Sequence, residues 1–316
     1  MAGEEREIEF FHKVFSRAID AVSSIVVGKR REIELILATL LSEGHVILEG
    51  VPGVAKTLIA KTIASVFNLS FKRIQSTPDL LPSDIIGVNI FDPKTSQFSF
   101  REGPIFTNIL LVDEINRAPP KTQSALLEAM QERQVTVEGQ TYYLPRPFMV
   151  LATMNPIEIE GVFPLSEAQV DRFLARVVIG YPDIEETVEI LKRYHDISEK
   201  KIPPVISSEE LVRAQSIVRR VHVDDNILRY ISLLVQATRN HPMVRLGASP
   251  RGAIALYLLS KAVALIRGRD YVTPDDIKYV ASSALSHRII LKPEALLSGA
   301  RPEKVVEEVL ERVDIP

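Results

Sequence analysis

Two hydrophobic rhythms run along this chain, and the change from one to the other divides it. Residues 5–23 place Ile8, Phe11, Val14, Phe15, Ala18, Ile19 and Val22 at a helical period, and a second helix follows from Lys29 to Leu41. The next runs are short: 45–48, 71–74, 109–112, 148–153 and 177–179 read as strands, and the apolar runs 109–112 and 148–153 suit strands buried on both faces. Helix-like stretches lie between them, notably Leu58, Ile59, Ala60, Ile63, Val66 and Phe67 after the first strand and 120–132 after Pro119. This alternation predicts a mostly parallel α/β sheet. Two segments break it with period-2 patterning. Val88–Phe91 and Phe98–Arg101 flank the turn 92–96, and Val135–Val137 and Thr141–Leu144 flank Glu138-Gly139-Gln140, so two inserted β-hairpins are expected. Ser166 with Gln169 reads as a capping box opening a short helix. Past Gly180-Tyr181-Pro182 the signals are helix starts: Asp183 with Glu186, Ser207 with Glu210, Asp224, Ser249-Pro250 and Thr273-Pro274, closing with an amphipathic helix over 303–313. The predicted organisation is therefore an α/β domain over 1–180 and a helical domain over 181–316.

One loop in this pattern carries candidate chemistry. Gly50-Val51-Pro52-Gly53-Val54-Ala55-Lys56-Thr57 joins the first strand to a helix, and it matches the phosphate-loop spelling G-x-x-x-x-G-K-[ST] except at Ala55. In such a loop, backbone N–H groups and the helix N-terminus face phosphates, the lysine neutralises them, and the hydroxyl helps hold Mg²⁺. Helical φ/ψ and a free N–H suffice at a helix entrance, so alanine at 55 is expected to leave phosphate binding intact. Val27 and Gly28, ahead of the loop, are expected beside the base, and Leu58, just after it, among the nucleotide contacts. A second apolar strand ends in Asp113-Glu114, two adjacent carboxylates that repel unless a cation lies near them. Mg²⁺ held by Thr57 and Asp113 fits, with Glu114 polarising the attacking water. Asn155 ends the next strand and is expected at the same sheet edge, although a turn asparagine before proline is the plain alternative.

Composition narrows the field. A net charge of −3 across 316 residues gives no excess of Lys and Arg calling for nucleic acid or an anionic membrane. There is no cysteine, and the six histidines are scattered, which argues against disulfides and a protein-ligated metal cage. The longest apolar stretch, 253–266, is short and broken by Ser260-Lys261, so a soluble, cytoplasmic protein is expected.

The motifs GVPGVAKT, ILLVDE, ATMNP, SEAQVDRF and GASPRG, in this order and spacing, resemble an AAA+ ATPase. DEINRAPPKTQSALLEAMQE with both hairpins looks like the MoxR family in particular. The resemblance implies a P-loop core with a five-stranded parallel sheet, a helical lid, binding and hydrolysis of ATP with Mg²⁺, and a homo-oligomeric ring, typically a hexamer. It also implies sensor roles for Asn155 and Arg251 and an arginine finger at Arg172, which would reach the nucleotide of the next subunit; Arg176 is the reserve candidate. Arg251 sits in the first turn of a helix, where its charge opposes the dipole, so a bound phosphate is expected to compensate it and draw the lid toward its own core. Arg117 is either an interface contact or half of a surface ion pair. The resemblance further implies a chaperone that remodels a protein client or inserts a metal cofactor, with a von Willebrand A domain partner. A metal-chelatase motor subunit, a nucleotide-gated scaffold and a DNA motor are the alternatives; Glu138-Gly139-Gln140 and the single Lys94 at the hairpin tips disfavour DNA.

Overall fold

The computed structural model describes residues 2–94, 96–155, 161–195 and 202–316. Helices α1 (Ala2–Ser23) and α2 (Arg30–Leu41) precede β1 (Val46–Glu49), α3 (Lys56–Val66) and β2 (Phe71–Gln75). A short α4 (Pro82–Ile86) leads into the hairpin β3 (Gly87–Asp92) and β4 (Gln97–Glu102), followed by β5 (Ile109–Asp113) and α5 (Pro120–Glu132). The second hairpin, β6 (Gln134–Val137) and β7 (Gln140–Tyr143), precedes β8 (Met149–Met154), α6 (Glu167–Val170) and β9 (Ala175–Val178). The remainder comprises α7 (Ile184–Lys192), α8 (Ser208–Val218), α9 (Asp225–Arg239), β10 (Val244–Leu246), α10 (Pro250–Ile266), α11 (Pro274–Leu285), β11 (Ile290–Leu291), α12 (Pro293–Leu297) and α13 (Pro302–Arg312).

The expected sheet is present. Its order is β2-β5-β8-β1-β9, with every neighbouring pair parallel. β5 and β8 are central and buried on both faces, which is why they are apolar throughout, whereas β2 lies at an edge and carries Lys72 and Arg73 outward. Side chains alternate across the sheet: Leu48, Leu111 and Leu151 point into one apolar cluster, and Ile47, Leu110, Val112 and Val150 into the other. Register places the C-terminal ends of the strands side by side, with Gln75 opposite Asp113 and Glu49 opposite Met154.

The larger cluster joins both halves of the chain. Phe11 and Phe15 of α1 and Phe67 after α3 stack in series, and α1 and α2 pack against α10, whose Leu256, Leu259, Val263 and Leu265 are fully buried. Each buried side chain of this size contributes about 1.5–3 kcal/mol. The smaller cluster lies under α5 and the hairpins, where Phe100 of β4 stacks on Tyr142 of β7 at 4.0 Å and Asn89 donates to Glu138 at 2.6 Å, so the two insertions are tied together. The capping boxes expected at Ser166, Asp183 and Ser207 form, and Thr273, expected only as a helix start before Pro274, makes one with Asp276.

Candidate nucleotide site

The loop 50–55 leaves β1 and enters α3 at the C-terminal edge of the sheet. Gly50 is tight against the last core strand: a Cβ there would lie 2.5 Å from the Ile179 carbonyl oxygen. The Lys56 ammonium donates to the Gly50 carbonyl at 2.5 Å, curling across the loop where phosphate oxygens would otherwise take its protons. Ala55 corrects the sequence reading. It is left-handed, with φ +65°, not helical, so the glycine of the usual spelling answers a backbone need that alanine meets at a cost of about 1 kcal/mol.

Beside the loop lies a cavity of about 830 Å³. Val27, Gly53, Val54, Ala55 and Leu58 line it, and Ile25, Val26, Pro182 and Ile190 complete an apolar slot suited to a flat base. Gly28, Gly50, Val51, Pro52, Lys56 and Thr57 do not line it. Gly28 has φ +73° and is covered by Glu186, which also accepts from Lys29 at 3.1 Å and pins α7 to the rim. The contributions of Ile190 on α7, of Tyr194 just beyond it, and of Lys61, Thr62 and Ser65 on one face of α3 escaped the sequence reading. The spacing of 58, 61, 62 and 65 was the available signal.

Asp113 and Glu114 each have named partners. Asp113 is buried and accepts from Arg73 Nε at 2.5 Å and from Thr153 Oγ1 at 3.3 Å. Glu114 is left-handed, φ +55°, its N–H held by Thr153 Oγ1 at 2.9 Å, and its carboxylate accepts from Gln75 at 3.0 Å and pairs with Arg117 at 3.1 Å. Arg117 therefore belongs to a local ion pair. Strain at a non-glycine residue beside an acid pair is typical of a functional turn. Asn155, buried, follows β8 at the same edge. Thr57 and Asp113 offer hard oxygen donors, which suits Mg²⁺ sharing its shell with phosphate and water; among the described residues no three His, Cys, Asp or Glu side chains cluster into a cage.

The arginines are elsewhere. Leu174, just before β9, donates to the His45 carbonyl just before β1, so the segment 171–174 lies at the N-terminal edge of the sheet. β1, four residues long, separates that edge from the P-loop by about 13 Å. Arg172 is there, exposed, donating to the Leu127 carbonyl at 3.2 Å. Arg251 joins it: its N–H is capped by Ser249 Oγ, which in turn donates to Asp171 at 2.9 Å. The expectation that Arg251 reaches its own subunit's nucleotide is thus corrected. Its helix starts on the edge opposite the P-loop because Ser249 and the buried Arg288 both clasp Asp171. Arg176 is engaged within the chain by Glu49 at 2.9 Å and Glu303 at 2.8 Å, leaving Arg172 as the exposed guanidinium of that pair.

Comparisons with known proteins agree with this geometry. Residues 45–175 match the model of the ATPase family associated with various cellular activities (AAA), and residues 236–309 match that of the AAA lid domain. The chain is 46% identical to the chaperone MoxR1 of Mycobacterium tuberculosis over 95% of its own length and 82% of the relative's. It is 49% identical to the uncharacterized YeaC of Bacillus subtilis, covering 98% of this chain and 97% of that protein. A crystal structure of a candidate ATPase from Cytophaga hutchinsonii superposes with a TM-score of 0.93 at 41% identity, over 100% of this chain and 98% of the other. No helix among the described residues is long and apolar enough to cross a membrane.

Proposed function

The chain belongs to the MoxR family of AAA+ ATPases, and from that premise we propose that it works as a ring of identical subunits in which ATP hydrolysis drives chaperone-like remodelling of a protein client. In this reading the base occupies the slot between Val27, Leu58 and Ile190, and the N–H groups of the loop and Lys56 take the phosphates. Thr57 and Asp113 hold Mg²⁺, which when bound supplies charge neutralisation between the phosphates. Glu114 accepts the proton of the attacking water, and Asn155 helps to position it. Arg172 and Arg251 serve the neighbour's nucleotide, each contributing to charge stabilisation as arginine fingers do.

The observation that carries this reading is the separation of parts. Phosphate loop, acid pair and Asn155 lie at one edge of the sheet, whereas Arg172, bonded to the Leu127 carbonyl, and Arg251, tied to Asp171 through Ser249, lie at the other. In this reading one copy holds two halves of different sites. A head-to-tail contact brings the halves together, and a closed series of such contacts is a ring. A protein client is favoured over nucleic acid by the hairpins, which expose Phe91 and Phe98 and present Glu138 at the inner tip. Insertion of a metal cofactor and a von Willebrand A domain partner extend the same proposal.

Sedimentation velocity with and without Mg²⁺ and ATP, beside turnover per subunit across protein dilution, tests it. Assembly and specific activity should rise together with concentration. Full turnover by a strictly monomeric species would refute it.

A further inference from the structure

The acid pair is held in a run of side-chain contacts along the end of the edge strand β2. Arg73 donates to Asp113 at 2.5 Å and to Gln75 Oε1 at 3.4 Å, and Gln75 donates to Glu114 at 3.0 Å. Arg73 and Gln75 are two apart on a strand and share its outer face. Three features set Arg73 apart from an ordinary structural partner. It places a full positive charge on the carboxylate that a divalent cation needs. Its side chain remains 51% exposed although that of Asp113 is only 11% exposed, so it can swing into water at little cost. And the strand pair it spans is pinned at this point, since Ser76, which continues β2, donates its N–H to the Asp113 carbonyl, so Arg73 is not what holds β2 to β5 here.

We propose that Arg73 is the residue by which the site registers a divalent cation: it is the counter-ion of Asp113 when the cation is absent and is displaced when one binds. This rests on the reading of Thr57 and Asp113 as a Mg²⁺ site. The physical reason is competition. One carboxylate with its two oxygens engaged by Arg73 and Thr153 does not serve a second cation at full strength, and two cations within about 4–6 Å repel. Removing the guanidinium therefore tightens cation binding, whereas an Arg73 needed only to shape the strand weakens everything when it is lost.

The test uses the full chain and a fluorescent ADP analogue titrated with Mg²⁺, alongside the rise in melting temperature that Mg²⁺ produces with ADP present. Arg73→Gln should lower the half-saturating Mg²⁺ about five-fold, the scale of a half-exposed ion pair, and enlarge the Mg²⁺-dependent melting shift, with metal-free nucleotide affinity unchanged. Arg73→Lys keeps the charge but loses the planar Nε donor, so its half-saturating Mg²⁺ should fall between those of wild type and Arg73→Gln; it also decides the matter alone if Arg73→Gln fails to fold. An unchanged or raised Mg²⁺ requirement in either variant overturns the inference. A wild-type chain whose nucleotide binding ignores Mg²⁺ would instead sink the underlying assignment of the metal site.

Discussion

Arg288 is the deepest polar tie between the helical half and the sheet, and its removal can be worked through. Its guanidinium donates to the Asp171 carboxylate at 2.7 Å, to the Phe173 carbonyl at 2.6 Å and to the Asp171 and Leu174 carbonyls at 3.2 and 3.3 Å, with a further bond to Ala284. Only 3% of the side chain is exposed. Burial pushes its pKa below the ordinary arginine value while Asp171 pulls it back, and the group stays charged. Arg288→Met fills much of the volume but takes the guanidinium's donors from four carbonyls, of which Phe173 keeps His287, and leaves the Asp171 carboxylate with Ser249. Breaking one side of such a pair costs about 3–5 kcal/mol. For 316 residues at roughly 2.1 cal/mol/K each, the unfolding entropy is about 0.66 kcal/mol/K, so the midpoint should fall by about 5–8 °C. Differential scanning calorimetry reads this directly. The double variant Arg288→Met, Asp171→Leu should recover part of the loss, because no uncompensated charge remains buried. A fall below about 1.5 °C, or a double variant as unstable as the sum of the singles, would refute the reasoning.

Other expectations follow from single positions. Ala55→Gly should stabilise the chain by about 0.5–1 kcal/mol in urea titration, the relief of a left-handed Cβ exceeding the added unfolded-state freedom; a destabilised variant would contradict the φ value. His45 accepts from Val150 N–H at Nδ1 and bonds the Met130 carbonyl through Nε2, so it has no place for a second proton, and burial pushes its pKa down to about 4. Its folded pKa lies below the unfolded value, so this stability is complete above about pH 6.5 and is lost as pH falls toward 4, by at most about 3 kcal/mol. Denaturation midpoints from pH 7 to 4.5 should decline less steeply in His45→Gln, and parallel curves would refute the assignment. Glu114→Gln should retain nucleotide binding and lower turnover about 10²-fold or more; binding lost along with turnover would point to a structural role.

What the chain disclosed about itself was local. Strands β5 and β8 were legible because burial on both faces demands unbroken apolar runs, and the capping boxes at Asp183 and Ser207 because four consecutive residues settle them. Contacts set by the fold were not legible. Arg73 meets Asp113 only because β2 and β5 pair in a register that puts Gln75 opposite it, and a strand read as Phe71–Ile74 gives no hint of that. Asp171, Ser249 and Arg288 come together across gaps of 78 and 117 positions, and it is this knot that moves Arg251 away from its own P-loop. Ala55 escaped for a different reason: a motif spelling records which residue is usual, while the backbone angle that makes glycine usual appears only in the folded loop.

The central claim is that each active seam takes its phosphate loop from one copy and its arginines from the next. Lys56→Ala chains keep their arginines, and Arg251→Ala chains keep their loop, so each alone should be nearly inactive. Turnover of the two mixed after co-assembly is the most direct measurement. The account predicts recovered ATPase activity in the mixture; a mixture that assembles yet remains as inactive as its components would contradict it.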